Sequence, residues 1–188
     1  MKRQTFLKMG CACGAVSLLG EKVAWSADSP QTNKKHAPQA MCESQVKELI
    51  KFIDQTQSDE VKEALFSQLG QSCFYSRHLD NWIGRYTDDV QAFLDWVNVE
   101  KKSRYWESLE FNEDKSVLTL KGRKVDGCAC SFSAQPDPPL ALCHICCRKF
   151  QETLFGMLLG QPVHVEVTTG YLLGDDRCNT VIHLVLSQ

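Results

Sequence analysis

Cysteine is the residue type in this sequence with the most chemistry to offer. The chain of 188 residues carries ten: Cys11, Cys13, Cys42, Cys73, Cys128, Cys130, Cys143, Cys146, Cys147 and Cys178. Six fall in one pattern: Cys128-x-Cys130, twelve residues, Cys143-His144-Ile145-Cys146-Cys147, and then Cys178. Two thiolates on a short strand or knuckle, facing two or three on a helical turn, can close a tetrahedral site. Positions 143, 146 and 147 share one face of an α-helix. The spacing therefore points to a metal centre with Cys128, Cys130, Cys143 and Cys146 as ligands. Zinc is the first expectation, because closed thiolate-rich sites favour it. An iron–sulfur cluster is the alternative. Cys147 lies on an apolar stripe continued by Phe150, Leu154, Met157 and Leu158, and reads as core packing. Cys42 and Cys73 stay unassigned: a free thiol, a disulfide between the two, or a distant ligand are all open.

The compartment decides how strongly disulfides compete. Residues 2–8 read Lys-Arg-Gln-Thr-Phe-Leu-Lys, a mild Gly- and Ala-rich run follows, and Ala24-Trp25-Ser26-Ala27 offers a small-residue exit. A charged start, an apolar run too short to span a bilayer and a cleavage-like exit describe an export signal. It resembles a twin-arginine signal with Gln4 in place of the second arginine, and implies a periplasmic or extracytoplasmic protein. That route carries folded proteins, often with a cofactor loaded beforehand, which favours metal over disulfides. Removing residues 1–27 takes Lys2, Arg3, Lys8, Lys22 and Glu21 and moves the net charge from −2 to −5. Neither a basic domain nor a basic stripe appears, so nucleic acid is not the expected partner. Lys121, Arg123 and Lys124 read as a solvated turn.

The elements that must position the cysteines follow from periodicity. Residues 28–40 form a polar linker, 41–100 a helical region and 101–188 a Cys-rich α+β domain. Val46, Leu49, Ile50 and Ile53 define one helical face. Ser58-Asp59-Glu60 opens a second helix that ends at Gly70, and Thr87-Asp88-Asp89 opens a third. Leu109–Phe111 and Val117–Thr119 form a hairpin, and residues 128–132 a short strand. Residues 140–159 form one helix closed by Gly160. The alternating Val163-His164-Val165-Glu166-Val167 and residues 178–186 form the last two strands. The order predicts a helical layer, then β-β-(β)-α-β-β with an antiparallel sheet, an α+β fold.

Phe155-Gly156-Met157-Leu158-Leu159-Gly160-Gln161-Pro162-Val163, Glu166 and Gly174-Asp175-Asp176-Arg177-Cys178 carry a family resemblance. Over residues 105–188 the chain resembles the four-vinyl-reductase-type small-molecule-binding domain. The resemblance implies a zinc held by Cys143 or Cys146, by Glu166 and by Cys178. Thr169 stands near where that family's sensors place another cysteine, so the ligand set differs and Cys128 and Cys130 would supply the difference.

Together these readings describe an exported zinc-binding domain that binds a small molecule between its helix and sheet, with the metal mainly structural. The alternatives are a metal-dependent, iron–sulfur or thiol redox enzyme, with Glu166 as its candidate base, and a disulfide-stapled structural protein. No hydrolase elbow, zinc-protease helix, phosphate loop or dinucleotide fingerprint occurs. His144 is a weaker ligand candidate, His164 a surface residue or pocket lining, and His78 and His183 carry no pairing signal; each reads first as an ordinary surface or core histidine.

Overall fold

The computed structural model describes residues 37–124 and 126–185. The expected export signal and most of the linker fall on residues 1–36, outside them. The chain divides into two compact units, Met1–Val46 and Lys47–Gln188. The second unit holds the sheet and every cysteine from Cys73 onward.

The fold is α+β: helices first, then a four-stranded antiparallel sheet with a helix interleaved in its chain order. Helices α1 (Ala37–Thr56), α2 (Asp59–Ser76), α3 (Leu79–Ile83) and α4 (Val90–Asn98) precede strands β1 (Trp106–Phe111) and β2 (Val117–Gly122). A long loop leads to a π-turn (Leu142–Cys147), helix α5 (Arg148–Leu159), β3 (Val163–Thr169) and β4 (Asn179–Leu184). In space the strands run β1-β2-β4-β3. The return strand β4 thus lies between the hairpin β1–β2 and its own predecessor, with Leu120 opposite Thr180 and Val165 opposite Ile182.

The hydrophobic pattern explains this arrangement. Leu109, Leu118, Leu120, Val163, Val165 and Ile182 alternate toward one face of the sheet and are buried. Leu154, Phe155 and Leu158 of α5, Phe74 of α2 and Phe93 and Val97 of α4 join them in one core. These side chains fill the space between α5 and the sheet, where a small-molecule pocket was expected. Trp82, Tyr86, Phe93, Trp96 and Trp106 add edge-on and stacked ring contacts at centroid separations of 5.2–6.0 Å.

Two side chains tie helices to the outer strands. Asp89 caps α4 by accepting from the Ala92 N–H at 3.0 Å. At the other end of α4, Asn98 accepts from Leu109 N–H at 2.8 Å and donates to Leu109 C=O at 2.7 Å. Its amide serves β1 as a one-residue strand partner. On the opposite edge, Glu152 Oε1 accepts from the Val165 N–H of β3 at 3.4 Å.

Several boundaries differ from the sequence expectation, each for a physical reason. Helix α2 does not stop at Gly70 but continues to Ser76. Gly70 is there because α2 runs against the π-turn: an added Cβ would lie 2.2 Å from the Cys146 carbonyl oxygen. Residues 128–132 form no strand; they hold a 3-10 turn, Ser131–Ser133, stabilised by the Ser133 hydroxyl donating to Cys130 C=O at 2.6 Å. The expected helix over 140–159 is continuous from residue 141, with its first turns, Leu142–Cys147, wound as a π-helix before α5. On α1, Ile50 is buried but Leu49 is 55% exposed, so the expected apolar face is narrower than four residues. The basic trio is engaged internally: Lys121 pairs with Glu107 and Lys124 with Asp176, both at 3.0 Å, and Arg123 donates to Trp106 C=O at 3.1 Å. No helix among the described residues is long and apolar enough to cross a membrane.

Gly70→Ala should therefore destabilise the chain by about 1–3 kcal/mol, the usual cost of forcing atoms into a filled contact. Gly156→Ala, whose Cβ meets only an ordinary 3.5 Å contact, should stabilise it by up to about 1 kcal/mol through helix propensity. Denaturant unfolding of the two variants should show these opposite signs; equal midpoints would remove the close approach at Gly70 as a constraint.

Candidate functional site

The antiparallel topology brings four chain segments to one end of the sheet. There β2 ends, β3 ends, β4 begins and, because α5 runs back along β3, α5 begins. Cys128 and Cys130 follow β2, Cys178 precedes β4, and Cys143, Cys146 and Cys147 form the turn that starts α5. The segments touch closely. A Cβ on Gly122 would stand 2.3 Å from Cys178 C=O, and one on Gly170 would stand 2.6 Å from Cys143 Sγ. Glycine at 170 thus leaves room for the Cys143 sulfur.

The π-turn distributes the three helical cysteines. In an α-turn Cys143, Cys146 and Cys147 would flank one face. The wider i→i+5 turn brings Cys147 back over Cys143 and swings Cys146 roughly a third of a turn aside. The surroundings agree. Burial pushes the Cys143 thiol up to about 12, and the neighbouring Cys147, Cys178, Cys128 and Asp175 add to the cost of ionising it. Burial likewise pushes Cys147 up to about 12, with the Gln151 amide opposing and Cys178, Cys128 and Cys130 adding. Cys146 looks the other way. It shares a hydrogen bond with Cys73, which is the main cause holding its thiol above the ordinary range, with burial and Cys130 adding. Cys128, Cys143, Cys147 and Cys178 neighbour one another on one side, Cys73 and Cys146 adjoin on the other, and Cys130 stands next to both Cys128 and the Cys73–Cys146 pair.

Two of these sulfurs accept N–H hydrogen bonds of defined geometry, Cys128 and Cys147, and backbone amides approach two more. Cys128 Sγ accepts from Cys130 N–H at 3.4 Å. The amides of Phe132 and Ser133 reach Cys130, where burial outweighs them and the thiol is raised. The Tyr171 amide reaches Cys178, whose thiol burial also raises. Gln151 Nε2 donates to Cys147 Sγ at 3.5 Å. That amide is oriented from behind: its Oε1 accepts from the buried Thr180 hydroxyl on β4 at 2.7 Å, which turns the NH₂ toward the sulfur. The turn at Gly170 is held by Asp175, whose Oδ2 accepts from Gly170 N–H at 2.9 Å, and the Tyr171 hydroxyl donates to Asp126 C=O at 3.0 Å.

Of the residues expected as ligands, Cys128, Cys130, Cys143, Cys146 and Cys178 come to this end of the sheet. Glu166 does not join them. It points to the outer face, with its Oε2 at 3.9 Å from His183 Nε2, because its buried neighbour Val165 takes the inward position. His164 and His183 stack on that same outer face, 6.3 Å apart. Cys147 and Cys73, which the spacing left outside the expected ligand set, also come to this end. The α-helical period assigned Cys147 to the core stripe, and Cys73 lay beyond the glycine read as a helix end. Cys42 lies on α1, in the other compact unit. Among the described residues, no three His, Cys, Asp or Glu side chains already stand in an arrangement that holds a metal ion. An open cavity of about 470 Å³ lies beside Cys128, lined by Arg104, Tyr105, Lys124 and Asp126. No known protein-family model matches the chain, and no curated protein matches it.

The hydrogen bond from Cys146 and the charge of Arg77 hold Cys73 below the usual thiol range, against the opposing effect of burial. Cys73 should therefore ionise more readily than Cys143, whose thiol burial raises. Iodoacetamide on the reduced, metal-free chain at pH 7 should modify Cys73 at least about tenfold faster than Cys143. Comparable rates by peptide mass spectrometry would contradict this ordering.

Proposed function

We propose that the second unit is a thiolate metal-binding domain, with zinc as its resident ion and a mainly structural role for the metal. Cys128, Cys143, Cys147 and Cys178 are its ligands. The observation that carries this reading is the convergence of these four cysteines, from three chain segments, at one end of the sheet, with N–H donors set on Cys128 and Cys147. A neutral thiol is a weak acceptor and gains little from them, whereas a metal-bound thiolate is stabilised by such donors. Four sulfurs on three chain segments also make a closed donor set of the kind zinc prefers. Closing it around an ion requires the side chains to turn inward at one end of the sheet. The resemblance over residues 105–188 supplies Cys143 and Cys178 to the same set. Glu166, which it also offers, stands on the other face and is left out.

The small-molecule part of the reading rests on the cavity beside Cys128. It is an open depression whose lining mixes Arg104, Tyr105 and Asp126, with Lys124 paired to Asp176, and it suits a small polar ligand. Export through a twin-arginine-like signal is part of the same proposal and accords with loading the ion before transport.

The chain purified without air should contain about one zinc, no iron and no visible absorption. A brown, iron-containing protein would establish the iron–sulfur alternative instead, and metal-free protein with few free thiols would end the metal reading. Cys128→Ser and Cys147→Ser should each remove most of the zinc, and Cys42→Ser should leave it unchanged. Gln151→Leu should retain the fold but weaken zinc about tenfold or more in competition with a chelator, as loss of an orienting outer partner does.

A further inference from the structure

Cys73 and Cys146 lie outside the four proposed ligands and touch one another. Neither is in a disulfide in the structure, and their sulfurs lie against one another where α2 meets the π-turn. The contact is imposed by the backbone. Gly70, one turn before Cys73, presses α2 onto the Cys146 carbonyl with no side chain between. On the following turn Phe74 packs edge-on to Phe150 with centroids 6.1 Å apart. Arg148, two residues beyond Cys146, pairs with Glu63 of α2. Two helical segments clamped on both sides of a cysteine pair hold its two sulfurs in a fixed juxtaposition, the starting point for a disulfide. The two thiols also differ in access: Cys73 is partly exposed, while Cys146 is 4% exposed in an apolar cluster with Ile50, Phe66 and Leu142.

We propose that Cys73 and Cys146 form a redox-active dithiol, with Cys73 the attacking and Cys146 the resolving thiol, that exchanges with disulfide-bearing oxidants. The Cys73 thiolate, its proton released to water, attacks one sulfur of R–S–S–R. One R–S⁻ leaves and takes up a proton. Cys146 then gives up its proton and attacks the Cys73 sulfur of the mixed disulfide, expelling the second R–S⁻, which is protonated in turn. The two protein thiols lose two electrons to become one disulfide, and the oxidant becomes two R–SH, with no net change in protons. The bond would pin α2 to the π-turn that carries Cys143 and Cys147. The inference stands on the Cys73–Cys146 contact and is separate from the zinc reading.

The test uses the full reduced chain, with zinc content measured, and oxidised glutathione as the probe. After exposure at neutral pH, alkylation and proteolysis, mass spectrometry should find the Cys73–Cys146 peptide pair as the dominant cross-link. It should exceed any other pair by about tenfold. In Cys146→Ser a glutathione adduct should accumulate on Cys73, and in Cys73→Ser neither adduct nor cross-link should form at these positions. A cross-link from a zinc-free chain would support this proposal while ending the metal reading. Cys73 joined instead to Cys42 or Cys130, or an unlinked chain whose Cys73 still reacts with alkylating agent, would overturn it.

Discussion

Helix α2 approaches the π-turn so closely that a single methyl group at position 70 would stand 2.2 Å from the Cys146 carbonyl oxygen. Much of the cysteine end of the molecule depends on that approach. It holds Cys73 against Cys146, sets Phe74 edge-on to Phe150 and brings Glu63 to Arg148. It also opposes the π-turn from the side away from the sheet, so the turn is held between α2 and the Gly170 loop. Glycine faces it on both sides, at 70 toward the carbonyl and at 170 toward the Cys143 sulfur. Two positions without side chains thus fix where two of its cysteines sit.

The π-turn is the second organising element. A π-turn admits one more residue per hydrogen-bonded ring than an α-turn and is tolerated where neighbouring segments hold it. Here it converts one stripe of three cysteines into two directions. Cys143 and Cys147 turn toward Cys128 and Cys178, and Cys146 turns toward Cys73 and Cys130. The buried pair Gln151 and Thr180 links this arrangement to the sheet. The Thr180 hydroxyl donates to Gln151 Oε1, which leaves the Gln151 N–H facing sulfur.

Much of the architecture was legible in the sequence, because it rests on local periodicities. The alternation at 163–167, the hairpin around 112–115 and the Asp89 cap each depend on residues close in the chain. The gathering of Cys128, Cys130, Cys143, Cys146 and Cys178 at one end was legible for the same reason, since their spacing straddles recognisable elements. What was hidden depends on distant contacts. Gly70 has the form of a helix stop, yet it is a contact surface for a segment 76 positions away. The π-turn leaves no mark in an α-helical period, so Cys147 looked like core and Cys146 like its partner in the site. Glu166 followed from a resemblance in short motifs, and the alternation of β3 turns it outward.

The two outer strands have one more feature in common. Each presents a backbone group to which a foreign strand would have to bond, and each has that group occupied from within. Asn98 takes both the N–H and the C=O of Leu109 on β1, and Glu152 takes the N–H of Val165 on β3. Open sheet edges are where folded chains join one another into aggregates. A second molecule docking on either side of this sheet would first have to displace a hydrogen-bonded side chain, and on β3 it would also meet a carboxylate. The sheet is thereby guarded against self-association at both margins by residues that belong to helices.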